Sequence, residues 1–345
     1  MKKIQRHIEI VRSTKVELSS LSLESCDAIY AVLSRHYSQV GVSTVNDLAD
    51  LERLVAKQPD LVFMGMKFLP SDQSPTGKIW ISSYLEQHGI GHTGSSQYAI
   101  EAELSKPLAK QRVLAAGIKT AAFLVIKHDQ AYDYENIGLR FPLFVKPTSL
   151  GGGQGIDNNS IVHDVAALRA KVASLAAQYS ADALVEEYLT GREFSVAVLQ
   201  NEYSEDLLVM PIELVAADNG RGDRILSQQV KSSNQETVLS VTDTSMRSLI
   251  VNVATSVFAA LGARDYGRID IRLDAAGQPH FLEANLIPSL ISGYGSFPKA
   301  CALNIAMDYE TMILSIVNLG LARCVVLEAP ALEPVLSALF SPVAI

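Results

Sequence analysis

Cysteine is scarce in this chain: Cys26, Cys301 and Cys324 are the only three in 345 residues, and none has CxxC spacing. Neither a disulfide framework nor a thiolate zinc site follows from them, and a reducing compartment is the default expectation. Long basic runs and aromatic-basic arrays are also missing. With a formal net charge of -8, the chain lacks the electrostatic footprint of a nucleic-acid binder, and small ligands, anionic ones included, suit it better. The most apolar long stretch, SLIVNVATSVFAALGA, is interrupted by Asn252 and Thr255 and reads as a buried helix. The opening MKKIQRHIEIVRST has a basic start without the apolar segment of a secretory leader. The expectation is therefore a cytoplasmic protein with no membrane and no nucleic-acid partner. Two nucleotide fingerprints are absent too: no Lys-Ser or Lys-Thr closes a Walker loop, and no GxGxxG is followed by a suitably placed acidic residue.

What is present is a chain with 48% hydrophobic residues, long enough for two or three domains. From residue 7 to about 100, strand-like runs (HIEIV, DLVFMGM) alternate with helical patterns (DAIYAVLSRHY, LADLERLVAK, KIWISSYLEQHG), the signature of a parallel sheet covered by helices. SKPLAKQRVLAAG predicts a helix with Ser105 as N-cap, Pro107 in its first turn and Gly117 at its stop. AAFLVI and PLFVKP then read as strands, DVAALRAKVASLAAQ as an amphipathic helix and ALVEEYL as a strand. EFSVAVL, LLVMPIEL, a polar segment from 217 to 237, a helix from about 243 to 261, a hairpin and a helix near 308 to 319 complete the pattern. There is no internal repeat.

The hairpin, GRIDIRLDAAGQPHFLEAN at 267 to 285, carries charge where a buried ribbon should be apolar. Residues two apart in a strand share one face, so Arg268 aligns with Asp270 and Glu283 with Asn285, while DAAGQ supplies the turn. An aspartate, a glutamate and an asparagine carbonyl are hard oxygen donors suited to Mg²⁺. A guanidinium beside them suits a phosphate or a tetrahedral oxyanion. In isolation such a face is more often a solvated surface. A second feature accompanies it: FPLFVKPTSLGGGQGIDN puts Lys146 at the end of an apolar strand, before a loop with Gly151, Gly152, Gly153 and Gly155 whose N–H groups can wrap phosphate oxygens. Alone, that loop is as readily a flexible turn. Glu186, Glu187 and Glu193 gather near a Thr-Gly turn in ALVEEYLTGREFSVAVL, where acceptors could read adenine and ribose. Glu187 and Arg192 read as solvent-facing and are left out of the site.

Taken in order, Lys106 at a helix start, FVKP before the glycine-rich loop, VEEYLTGREFSVAVL, Lys231 in the polar segment and GRIDIRLD...FLEAN resemble the ATP-grasp superfamily, specifically the D-alanine:D-alanine ligase family, from about residue 60 to 320. The resemblance implies an α/β chain with an ATP-grasp fold behind an N-terminal α/β domain. Its parts would be 1–103, a central small lobe at 104–185, a C-terminal lobe with the metal site at 186–322, and an extension at 323–345 of unassigned role. By position, Lys106, Lys146, Gly152 and Gly153 would hold phosphates, Glu186 and the backbone near Leu189 the adenine, and Glu193 the ribose. Asp270, Glu283 and Asn285 match the ligands of usually two Mg²⁺ ions, with Mn²⁺ as an alternative. Arg268 matches the arginine that steadies the tetrahedral intermediate, and Lys231 the lysine of a loop closing over the phosphates. Glu17 aligns, across a gap, with the glutamate that binds the first substrate's amino group; a surface role is the other reading. The implied reaction is ADP-forming carboxylate:amine ligation through an acyl phosphate, with small-molecule, amino-acid-like substrates, and the family suggests a homodimer.

The chain departs from the family pattern on the amino-acid side. GGGQG replaces a Gly-Ser-Ser-Val-Gly loop, Ser232 stands for a tyrosine, Lys67 and Phe68 stand for His-Gly, and Ser289 stands where a glycine usually lies beside the oxyanion. D-alanyl-D-alanine synthesis for the cell wall is the leading expectation. A specialised amino-acid ligase of a biosynthetic pathway is the rival, and a phosphotransferase or regulator without ligation the alternative of another class.

Overall fold

The computed structural model describes residues 2–72, 74, 77–215 and 236–328, with side chains as far as Cys324. The N-terminal part contains β1 (Ile4–Arg12), α1 (Leu23–His36), β2 (Tyr37–Thr44), α2 (Leu48–Ala56), β3 (Leu61–Met64), the short β4 (Phe68–Pro70) and β5 (Lys78–Trp80), α3 (Ile81–Gln87), β6 (Gly91–His92) and α4 (Gln97–Leu104). Its main sheet runs β2-β1-β3-β6 with every pairing parallel, as alternation of apolar strands and helices predicts. Side-chain caps begin its first two helices: Ser22 Oγ accepts from the Ser25 N–H, and Asp47 from the Asp50 N–H. Two readings change. The segment expected as one helix from Lys78 begins as β5, and YSQVGVST, a strand with little alternation, is recruited by pairing along β1.

Helix α5 (Lys106–Ala115) starts at Ser105, whose Oγ accepts from the Leu108 N–H, and Gly117 follows it at φ 76°. A small antiparallel sheet follows, with order β7-β10-β8-β9: β7 (Phe123–Ile126), β8 (Leu143–Pro147), β9 (Ile161–Val162) and β10 (Ala183–Glu187). The helix α6 (Val165–Tyr179), capped by Asp164, buries Leu168, Val172 and Leu175 against it. β10 continues through Glu187, so Glu186 belongs to this sheet's pairing.

The larger antiparallel sheet has the order β13-β12-β11-β14-β15: β11 (Glu193–Gln200), β12 (Leu207–Val215), β13 (Thr237–Ser240), β14 (Tyr266–Leu273) and β15 (Pro279–Asn285). α7 (Thr244–Ala260) covers it, and α8 (Ser296–Ile305) and α9 (Tyr309–Glu328) are the last elements among the described residues. α9 runs nine residues beyond the expected end at 319. Arg323, on its last turns, binds the buried Asp265 and donates to the His92 carbonyl at 2.5 Å, tying the helix to β6 and the entry of β14. One hydrophobic core runs unbroken from Val62, Leu85 and Ala109 to Val196, Ile269 and Phe281, so the parallel sheet is packed onto the large antiparallel lobe. Among the described residues, no single helix is long and apolar enough to cross a membrane.

Candidate active site

The four polar residues of the hairpin do converge. Arg268 lies opposite Asn285 and Asp270 opposite Glu283 across β14 and β15. A bulge just beyond Asp270 places Phe281 opposite Ile271 and leaves Leu282 without a partner. Arg268 grips Asp270 at both ends, Nε to Oδ1 at 3.0 Å and Nη2 to Oδ2 at 2.8 Å. Ser195 Oγ donates to the same Oδ1 at 2.8 Å from β11. Burial works against the Arg268 charge, but Asp270, Glu283 and Glu103 outweigh it and hold the guanidinium above its ordinary pKa.

Asp270 and Glu283 also line a cleft of about 650 Å³, counted to its open mouth, together with Lys146, Glu186, Glu187, Tyr188, Leu189, Glu193 and Arg272. Phe144 and Tyr188 stack within it, ring centres 6.3 Å apart. Glu186 lies between two ammonium groups: Oε2 is 2.7 Å from Lys146 Nζ and Oε1 is 2.5 Å from Lys110 Nζ. Burial opposes ionisation of Glu186, yet the two lysines hold its carboxyl below the usual range. Burial likewise opposes the Lys146 charge, and Glu186 and Glu283 overcome it, raising that lysine. Glu193 is held by Arg272 at 3.2 Å, and Arg272 donates to the Tyr188 hydroxyl at 3.0 Å. Lys106 donates to the Leu150 carbonyl at 2.6 Å, at the edge of the glycine-rich loop, where Gly152, Gly153 and Gly155 adopt φ of 64°, 81° and 73°.

Of the residues singled out in the sequence, Lys146, Glu186, Leu189, Glu193, Asp270 and Glu283 thus meet in one cleft. Arg268 and Asn285 sit beside it on the same hairpin face. Glu17 is exposed between β1 and α1 and does not line the cleft. Lys231 lies outside the described residues. Glu187, excluded as a solvent-facing residue, lines the cleft, although Arg140 holds its carboxylate at 3.1 Å. Sequence reasoning missed Lys110, Arg272 and Ser195. Arg272 was within reach, since it continues the Arg268–Asp270 alternation; Lys110 stands one helical turn after Lys106.

Asp270 and Glu283 offer the oxygens that suit Mg²⁺, with the Asn285 carbonyl alongside. Among the described residues, no cluster of three or more His, Cys, Asp or Glu could cage a metal alone. An ion here would share its shell with phosphate oxygens and water, as Mg²⁺ commonly does.

A parallel N-terminal sheet, two antiparallel lobes and a cleft between them with paired lysines and carboxylates define the class of ATP-grasp ligases. Residues 113–318 match the family model described as D-ala D-ala ligase C-terminus. The chain belongs to that family and is an ATP-dependent, ADP-forming carbon–nitrogen ligase. It is 29% identical over 282 residues to uncharacterized protein y4sG of Sinorhizobium fredii, covering 80% of each chain. It is 30% identical over 238 residues to the D-alanine–D-alanine ligase of Glaesserella parasuis, covering 68% of this chain and 74% of the relative. In fold it is similar to the Bacillus anthracis D-alanine–D-alanine ligase solved in complex with ATP, with a TM-score of 0.72 and 19% identity over 93% of this chain and 99% of that one.

Proposed function

We propose that the enzyme joins two small amino acids, with D-alanine as both acid and amine the leading pair. A carboxylate oxygen of the first attacks the γ-phosphorus of ATP; an O–P bond forms, the β–γ bridging bond breaks, and its electron pair leaves with ADP. The amine of the second substrate attacks the acyl carbon, loses a proton, and the tetrahedral adduct expels phosphate to leave an amide. Lys106 and Lys146 offset charge on the phosphates, Gly152 and Gly153 offer N–H groups to them, and Arg268 steadies the oxyanion. Asp270, Glu283 and Asn285 would hold Mg²⁺, which supplies charge neutralisation between the phosphates. Glu186 and the Leu189 backbone would read adenine and Glu193 the ribose. Lys231 would close over the phosphates, and Glu17, exposed and outside the nucleotide cleft, would take the first substrate's ammonium. The family also favours a homodimer.

The observation that carries this reading is the cross-strand alignment of Arg268, Asp270, Glu283 and Asn285 beside the cleft that holds Lys146 and Glu186. Its test is a matrix of D- and L-amino acids scored by phosphate release and ADP formation. Turnover with D-alanine alone supports the leading pair; AMP release, or none with any acid and amine together, refutes ligation.

One observation favours a second reading, a ligase specialised for another amino acid. Lys67, just beyond β3, makes a 2.7 Å ion pair with the buried Glu103, which also acts electrostatically on Arg268. This charged pair stands where the family pattern has His-Gly, and that departure is what favours a substrate other than D-alanine. The same matrix separates the readings, since this one expects little turnover with D-alanine alone.

A further inference from the structure

Helix α5 presents two lysines one turn apart. Lys106 reaches the glycine-rich loop, whereas Lys110 is wholly buried and does not line the cleft. Its Nζ lies 2.5 Å from Glu186 Oε1 and donates at 2.5 Å to Thr120 Oγ1, and that hydroxyl donates at 2.7 Å to the Phe281 carbonyl on β15. Lys110 therefore spans the seam between α5, the small sheet and the metal hairpin.

Glu186 is held between two ammonium groups, one at each carboxylate oxygen, and Glu283 acts electrostatically on both lysines. Only Lys146 borders the cleft. A polyphosphate there offers Lys146 a stronger anionic partner, and its departure frees Glu186 Oε2 toward the bound base. What Glu186 then reads depends on its ionisation. A carboxylate only accepts hydrogen bonds, so it takes the amino group of adenine and repels the O6 carbonyl of guanine; a neutral carboxyl carries a donor that suits O6. A carboxylate buried without a counter-charge would take up a proton.

We propose that Lys110 is the positioning residue that keeps Glu186 ionised and aimed when Lys146 turns to the phosphates, and that it thereby sets the preference for adenine over guanine nucleotides. This rests on the ligase reading, with Glu186 at the adenine. Lys110 touches no substrate and acts through the carboxylate alone.

The test is calorimetric binding of ADP and GDP to the wild type, Lys110→Met, Glu186→Gln and the double variant, with melting temperature followed in each. Lys110→Met is expected to weaken ADP on the order of tenfold and GDP much less, narrowing the ADP-to-GDP ratio. In the Glu186→Gln background, adding Lys110→Met is expected to leave the ratio unchanged, because the two residues act as one unit. An unaltered ratio in Lys110→Met, or an equal loss of both nucleotides, overturns the proposal by making the lysine merely structural. Should Lys110→Met not fold, the double variant against Glu186→Gln still decides: a further change in ratio there means the lysine acts other than through the carboxylate. A wild type that binds neither nucleotide would instead sink the ligase reading, and this assignment with it.

Discussion

Arg268 and Asp270 form a two-point ion pair within one face of a single strand, with contacts of 3.0 and 2.8 Å. The guanidinium thus holds in place a carboxylate that would serve as a ligand to a metal shared with phosphate. Arg268→Met is expected to reduce phosphate release by on the order of 10²–10³, the scale for removing one oxyanion donor. The comparison is steady-state phosphate release with nucleotide binding measured alongside; turnover within threefold of wild type would exclude a role for Arg268 at the oxyanion.

Glu283→Gln changes charge with little change in shape. Phosphate release should fall by at least ~100-fold, as when a preorganised charge at a reacting phosphate is lost. The Mg²⁺ concentration needed for half-maximal rate should rise, while the melting temperature stays near that of wild type. An unchanged Mg²⁺ dependence would remove Glu283 from the metal site.

The Lys67–Glu103 pair predicts an asymmetry in stability. Lys67→Met removes the 2.7 Å partner of Glu103, leaving only the more remote Arg268, and should destabilise the fold by about 1–3 kcal/mol, whereas Lys67→Met with Glu103→Leu should recover most of that. Urea unfolding of the three proteins measures it. Equal losses in the single and double variants would show that the pair has no such coupling.

Glu86 sets an acid-side prediction. The hydrogen bond between His92 and Glu86 comes first, burial opposes it, and Arg264 adds to it, lowering the carboxyl from 4.5 to about 2. Because the folded value lies below the unfolded one, the stabilisation is present above pH 4.5 and is lost as pH falls toward 2. Melting curves of wild type and Glu86→Gln should therefore separate near neutral pH and converge toward pH 2. Parallel curves through that window would contradict the assignment.

At Gly155, with φ 73°, an added Cβ would meet Pro147 Cγ at 2.7 Å, beside Lys146. Gly155→Ala should destabilise by about 1–3 kcal/mol, the scale of forced left-handed backbone, and should raise KM for ATP. A melting temperature equal to wild type would show that the loop relaxes around the methyl group.

Much of this was legible in the residues. The Arg268–Asp270 face follows from the two-residue period of a strand, the start of α5 from Ser105 and Pro107, and the parallel sheet from alternating apolar strands and helices. β2 and α8 were not legible: the first has little alternation and forms by pairing along β1, and the second follows a loop with no side-chain cap at Gly295. That Glu187 borders the cleft was not legible either, because one strand gives no sign that other elements fold a cleft beside it; its carboxylate pairs with the exposed Arg140.

By itself the sequence determined which side chains share a face, because that depends on repeats of two or 3.6 residues along one element. Tertiary structure alone decided which faces meet. The bulge at Leu282 puts Glu283 across from Asp270, packing sets Lys110 against Glu186 although 76 positions separate them, and α9 delivers Arg323 to Asp265. Such partners are chosen by the fit of whole elements across a common core, and no local period in the chain encodes that choice.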